Sequence, residues 1–317
     1  MLQSMSALAQ QKNDVNGYLQ YRFTDNYLDQ TNFSIRRAKL WAEGTLPLNL
    51  QEWGYKVQAQ FYNKQNFLFQ LQDAFLTYSI SSFKITAGQF VPEFTMQRKQ
   101  SDYLIPFTER ANVITYLVPS SETMGRDIGV QADYKEKYGG ISFGFFNGNG
   151  ANTVSNKRNF LLTNRGYFNY NNNSNELQFG YSLSYRKDNG LVFSNILGSS
   201  TNFSGKDFRY GFDFRIKLSV FEFQSEYLEG HLGSKKAKGF YALADYLITN
   251  KNLIAVSIEQ LNDLNPSTVD KPWYKVGYSY LIKGNFIKIS LDNQFQFLND
   301  KTNVMTTLQV QYFFLQI

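Results

Sequence analysis

Cysteine is absent from the 317 residues. Disulfide scaffolds, thiolate metal sites and cysteine nucleophiles are thereby excluded. The single histidine, His231, leaves no histidine cluster to hold a metal. Proline occurs only 6 times, which excludes collagen-like and proline-rich disordered chains. No stretch approaches the roughly 18 apolar residues of a membrane-spanning helix. Any membrane span must then be built from strands, because lipid demands that backbone hydrogen bonds close within the protein. Charge of one sign is also scarce. Lys+Arg 32 against Asp+Glu 26 gives +6, spread along the chain, and so mild a balance gives no ground for a nucleic-acid partner.

Aromatic side chains are abundant, at 17% of the chain with Phe 29 and Tyr 22. The mean hydropathy is nevertheless polar, at -0.39. Many aromatics within a polar average imply that apolar and polar residues alternate finely. A chain of this length accommodates two soluble domains of roughly 150 residues or one large β-barrel.

Strict alternation does recur from end to end, and it marks strands with two chemically different faces. Phe208, Tyr210, Phe212, Phe214 and Ile216 alternate with Arg209, Gly211, Asp213, Arg215 and Lys217. Leu177, Phe179, Tyr181, Leu183 and Tyr185 alternate with small polar residues, and so do Tyr274, Val276, Tyr278 and Tyr280. Similar segments bring the expected total to about sixteen strands, within the range of outer-membrane barrels. Parity is blurred near residues 32–45 and 160–169. Connections alternate short and long, as in a transmembrane barrel with short periplasmic turns and longer external loops, so both termini are expected on the periplasmic side. Glu229–Lys238 reads as one of the long loops, and Val91–Gly125 as the longest. A soluble sandwich also alternates. Against it stand charges in mid-strand, such as Asp213 and Glu222, and a chain that ends on an aromatic strand with Tyr312 and Phe314. The expected fold is all-β, a transmembrane antiparallel barrel over residues 10–317. Residues 1–9 end in Ala7-Leu8-Ala9, which fits the signal-peptidase pattern with Gln10 as the first mature residue. The basic n-region is missing and the apolar run is short, so this reads as the stub of an export signal, the alternative being a frayed terminus.

Several segments resemble the phosphate-selective porin O and P family. Phe33-Ser34-Ile35-Arg36-Arg37-Ala38-Lys39-Leu40-Trp41-Ala42-Glu43-Gly44 is similar to its early arginine-rich strand. Gln72-Asp73-Ala74-Phe75-Leu76-Thr77-Tyr78 is similar to its fourth strand. Ala87-Gly88-Gln89-Phe90-Val91-Pro92-Glu93-Phe94, then Glu109-Arg110, Phe145-Phe146-Asn147-Gly148 and Gly239-Phe240-Tyr241, follow in the family's order. The resemblance implies a sixteen-stranded, homotrimeric channel of the bacterial outer membrane that passes small anions or other small hydrophilic solutes. It also implies that the long loop folds inward and narrows the pore, the alternative being an external cap packed on the rim. The family's arginine ladder does not map onto this sequence residue by residue.

The candidate functional groups are wall charges and loop charges. Arg36, Arg37 and Lys39 are the densest basic cluster. Arg37 and Lys39 share one side of a strand and Arg36 takes the other, unless a bulge intervenes. Arg98, Lys99 and Arg110 lie in the long loop, and Arg209, Arg215 and Lys217 on one polar strand face. Positions 209 and 215 lie about 20 Å apart, so they would serve as successive contacts along a path and not as one ring. Acids share the inward face, among them Asp73, Asp133, Asp213, Glu222, Glu226, Asp245 and Asp292, so any ion preference is expected to be mild. Enzyme chemistry finds no support. His231 is the only candidate base of its kind, sits in a turn-like stretch and has no nucleophile motif to serve. Asn147-Gly148-Asn149-Gly150 reads as a turn, and the Asn- and Asp-containing loops lack calcium-ligand spacing. The expectation is a passive porin with modest anion preference, phosphate included, and no cofactor. The alternatives are a nonspecific diffusion porin and a surface-binding or structural barrel.

Overall fold

Sixteen strands close on themselves in the computed structural model, which describes residues 13–48, 51–62, 68–153, 159–172, 175–192, 194–198 and 202–316. The stretch expected to be an export signal lies outside these residues. The first half of the wall is β1 (Asn13–Asp25), β2 (Thr31–Leu48), β3 (Gln51–Tyr62), β4 (Leu68–Ile80), β5 (Phe83–Phe90), β6 (Asp127–Glu136), β7 (Gly139–Phe146) and β8 (Leu161–Asn172). The second half is β9 (Asn175–Val192), β10 (Asn202–Leu218), β11 (Phe221–Leu232), β12 (Lys235–Thr249), β13 (Asn252–Asn262), β14 (Trp273–Asn285), β15 (Ile287–Phe297) and β16 (Thr302–Gln316). Every strand pairs antiparallel with its sequence neighbours, and β1 pairs with β16, so no edge is left for lipid to meet.

Alternation sets the two faces. Along β10 Phe208 and Phe212 are 40% and 59% exposed, while Asp207, Arg209 and Asp213 are 3%, 1% and 5% exposed. The apolar set therefore points outward to lipid and the charged set inward, as expected. Connections at one end are tight, such as Ser81-Ser82, Lys137-Tyr138 and Ser219-Val220. Among the described residues three short α-helices, α1 (Met96–Lys99), α2 (Asn112–Tyr116) and α3 (Ser194–Leu197), and a 3-10 turn at Ser121–Thr123 sit in connections at the other end.

Two expectations need correction. The stretch Glu229–Lys238 is no long loop, since β11 runs to Leu232 and a two-residue turn, Gly233-Ser234, leads straight into β12. The inward residues Leu228, Leu232 and Ala237 are apolar here, because they pack against the long loop inside the barrel, and this hides the parity. His231 consequently belongs to a strand, where it bonds Glu229 at 2.7 Å. The blurred parity of residues 32–45 has a different cause. Gln20 of β1 faces Arg37 and Tyr21 faces Ile35, so Arg36 is an inserted bulge residue. A second bulge in β4 brings both Gln72 and Asp73 inward, and both are buried.

Candidate permeation pathway

The connection between β5 and β6 folds into the lumen. Its apolar residues Phe94, Phe107, Val113, Ile114, Leu117 and Val118 are buried against Leu228, Tyr241, Leu243 and Ala255 of the inner wall. Glycine makes room for this contact: a Cβ on Gly277 would lie 2.8 Å from the Phe107 ring, and one on Gly239 3.0 Å from Val113 Cγ2. Wall charges clamp the loop backbone. Glu226 accepts from the Met96 and Gln97 amides at 3.0 and 2.7 Å. Asp292 accepts from the Thr108 amide at 2.6 Å, and Glu259 from that of Asn112 at 3.2 Å. Lys288 Nζ donates to the carbonyls of Tyr103 and Ile105, and Arg209 to those of Leu117 and Val118. Several mid-strand charges of β10–β15 are thus loop anchors.

Toward β1 and β2 the loop presents carboxylates to a basic wall. Glu109 takes Arg22 at 2.7 Å, Arg37 at 3.0 Å and also Arg36. Asp102 takes Arg37 at 3.4 Å together with Lys39 and Arg110. The bulge at Arg36 makes this possible, because it turns two successive arginines to the same face. Burial opposes the charge on Glu109, but Arg37, Arg36 and Arg22 outweigh it and hold its carboxyl well below the usual range. Burial likewise opposes ionisation of Glu93, and Lys99, 3.2 Å away, leads the charges that hold its pKa below the ordinary value.

Between this loop and the wall of β1–β6 lies a polar cavity of about 300 Å³. Lys39, Lys56, Lys84, Arg98, Lys99, Arg110 and Arg126 line it against the acids Glu43, Asp73, Glu93, Asp102 and Asp133. Basic groups outnumber acidic ones, with Arg22, Arg36 and Arg37 adjoining through Glu109 and Asp102. A second opening, toward the tight-turn end, shares Glu43, Lys56 and Phe75 with the first. The two openings thus adjoin at Glu43, Lys56 and Phe75 beside the loop.

The expected site residues fall into two groups. Arg36, Arg37, Lys39 and Arg110 come together around the two loop carboxylates, and Arg98 and Lys99 line the same cavity. Arg209, Arg215 and Lys217 stand on β10 and do not line this cavity. Arg209 is buried under the loop and paired with Asp207 at 2.8 Å. Arg215 pairs with Glu222 at 2.9 Å near the tight-turn end, and Lys217 is exposed beside it. Asp213, expected to face water, is buried in a two-bond contact with Arg165 at 2.5 and 2.9 Å. Arg22 and Arg126 were missed as site residues. Arg22 lies on the inward face of β1, so parity could have found it. Arg126 pairs with Asp73 at 2.7 Å across the barrel wall, and nothing local marks it.

A family model for phosphate-selective porin O and P matches residues 11–254. The chain belongs to that family. It is an outer-membrane porin, a channel and not an enzyme. Solved porins share the fold over almost the whole length of this one. OmpF of Salmonella typhi, in complex with daunomycin, is 14% identical, with 96% of this chain and 98% of that one covered at a TM-score of 0.70. An anion-selective porin of Comamonas acidovorans is 10% identical, with 96% and 100% covered at 0.68. OmpT of Vibrio cholerae in a trimer form is 10% identical, with 96% and 99% covered at 0.66. At such identities the likeness carries the fold alone. No curated protein sequence matches the chain.

Proposed function

We propose that this porin passes small anions, phosphate among them, with a modest preference over cations. The observation that carries the reading is the cavity beside the inward loop, where basic side chains outnumber acids and arginine predominates around Asp102 and Glu109. Arginine stays charged and offers a fixed fork of donors to an oxyanion. Successive inward residues Arg37 and Lys39 stand about 7 Å apart along β2, and Lys56, level with Glu43, about 13 Å further on. An anion can pass from one to the next. The interleaved carboxylates weaken each contact, which favours transit over capture. Reversal potential under a potassium chloride gradient tests this, with chloride expected to be favoured. Arg98→Glu with Lys99→Glu is expected to shift it toward cations, since both line the cavity. A wild-type channel that prefers cations rejects the reading and leaves a nonspecific porin, for which the five cavity acids speak.

The same reading includes a homotrimer with both termini on the periplasmic side. The trimer form of OmpT and the family resemblance support it, and native mass measurement in detergent checks it. It also includes removal of residues 1–9 on export, so that N-terminal sequencing of protein recovered from the outer membrane is expected to start at Gln10.

A further inference from the structure

Most outward residues of the barrel are apolar, but one sector of the rim at the long-connection end carries a row of cations. Lys187 on β9, Lys206 on β10, and Lys236 and Lys238 on β12 are exposed, while Arg186, Asp188, Asp207, Arg209 and Ala237 beside them in sequence are buried inward. The register lines them up. Lys206 lies directly opposite Lys187, and His231 on β11 faces Phe208 on one side and Lys236 on the other. Like charges set opposite each other on neighbouring strands repel, as Lys187 and Lys206 do. Among the described residues no ion pair reaches Lys187, Lys206 or Lys238. Among the described residues the only carboxylate on this outward patch is Glu229, which is 4% exposed and already bonded by Tyr227 at 2.5 Å, His231 at 2.7 Å and Lys236 at 2.7 Å.

Immediately below the row lies an outward aromatic collar. Tyr185, Phe208 and Phe240 each stand two residues from a lysine of the row, with Phe212 lower down, and all four are exposed. Phe208 and Tyr210 also flank the His231 ring at 6.5 and 6.1 Å. Collars of this kind mark the level where acyl chains give way to headgroups. At the same rim on β1 and β2, the outward residues are Phe23, Phe33 and Ile35, so the cationic row does not extend to those strands. Its four strands span about 14 Å, wide enough to meet more than one phosphate of a single headgroup.

We propose that this row is a docking site for a phosphate-bearing lipid of the leaflet at the long-connection end. The aromatic collar receives the acyl chains, and Lys187, Lys206, Lys236 and Lys238 hold the phosphates. Glu229 orders His231 and Lys236 beside them. A second copy docked about a two-fold axis is a poor occupant, because that contact would bring the lysines against one another.

Binding of diphosphorylated lipid A and of its dephosphorylated form to the detergent-solubilised full chain tests this by native mass spectrometry. Wild type is expected to retain the phosphorylated lipid and to hold the dephosphorylated one at least tenfold more weakly. The triple variant Lys187→Gln, Lys206→Gln, Lys238→Gln is expected to lose roughly tenfold or more, while keeping its conductance. Lys137→Gln, Lys251→Gln, Lys283→Gln at the opposite rim is expected to match wild type. Should the triple variant fail to show the gel shift of a folded barrel on boiling, Lys206→Gln alone is expected to weaken binding measurably. Equal binding by wild type and a folded variant, or equal binding of the two lipids, overturns the proposal. So does full displacement of the lipid by millimolar inorganic phosphate, which would make the row a free-phosphate site. A changed oligomeric state in the variant would assign the row to a subunit contact and overturn it too.

Discussion

Asp102 and Glu109 set the charge beside the inward loop. Each is held by three cationic groups, which on the proposed anion pathway are the donors a permeating oxyanion would use. The two carboxylates act as tethered competitors. Asp102→Asn is therefore expected to let phosphate block the chloride current at a roughly fivefold lower concentration, about 1 kcal/mol. An unchanged blocking concentration would mean that anions do not reach this cluster. Glu109 gives the pH dependence. Its depressed pKa means that its docking contribution is complete above the unfolded-state value of about 4.3, and is lost as pH falls through the lower folded value. The difference in conductance noise between wild type and Glu109→Gln is expected to stay constant from neutrality down to about pH 5 and to vanish only in more acid solution. A step in that difference between pH 5 and 7 would assign the acid transition to another group.

At the scale of the element, parity carries the argument, and its failures are physical. The strands of the wall were readable wherever their inward residues are polar, as in β9, β10 and β14, because the two faces then differ sharply. Reading failed at β11 and β12, where Leu228, Leu232 and Ala237 face a packed loop and both sides look apolar. It blurred at Arg36, where one extra residue resets the count. Half of the site was readable for the same reasons. Arg36, Arg37 and Lys39 announce themselves as a cluster, whereas the burial of Arg209 depends on a loop that local sequence does not place. Deleting Arg36 should restore a regular ladder with Ile35 out and Arg37 in, and the barrel should still assemble. Deleting Ala38 instead shifts parity and turns charge toward lipid, at about 2–4 kcal/mol per midplane cation. Resistance to unfolding before boiling should separate the two, and equal assembly would deny the bulge. Phe212→Arg should cost about 2–4 kcal/mol. Asp213→Asn should cost about 1–3 kcal/mol by leaving Arg165 buried with a weaker partner. Adding Arg165→Gln should recover much of the second loss and none of the first, as read by urea unfolding in vesicles.

The whole molecule divides its interior between a packed side and a wet side. Loop residues Phe107, Val113, Ile114 and Leu117 form a core against β11–β13, while Asp102 and Glu109 of the same loop close salt bridges with β1 and β2. The loop is thus held at both edges, and the path that remains runs along the basic wall. Closure of the sheet does not depend on the loop, because every strand is hydrogen-bonded to two neighbours through β1 and β16. Replacing Met96–Val118 with a short Gly-Ser linker is therefore expected to leave a folded barrel of much larger conductance. Its resistance to denaturant should fall. Leu228, Leu243 and Ala255 would face water, and Glu226, Glu259 and Asp292 would lose the amides they now accept from. Some anion preference should survive, since Arg22, Arg36, Arg37 and Lys39 would keep their places on the wall and lose their loop carboxylates. Unchanged conductance in a folded variant would show that the constriction lies elsewhere, and a variant selective for cations would show that the basic wall does not set the field.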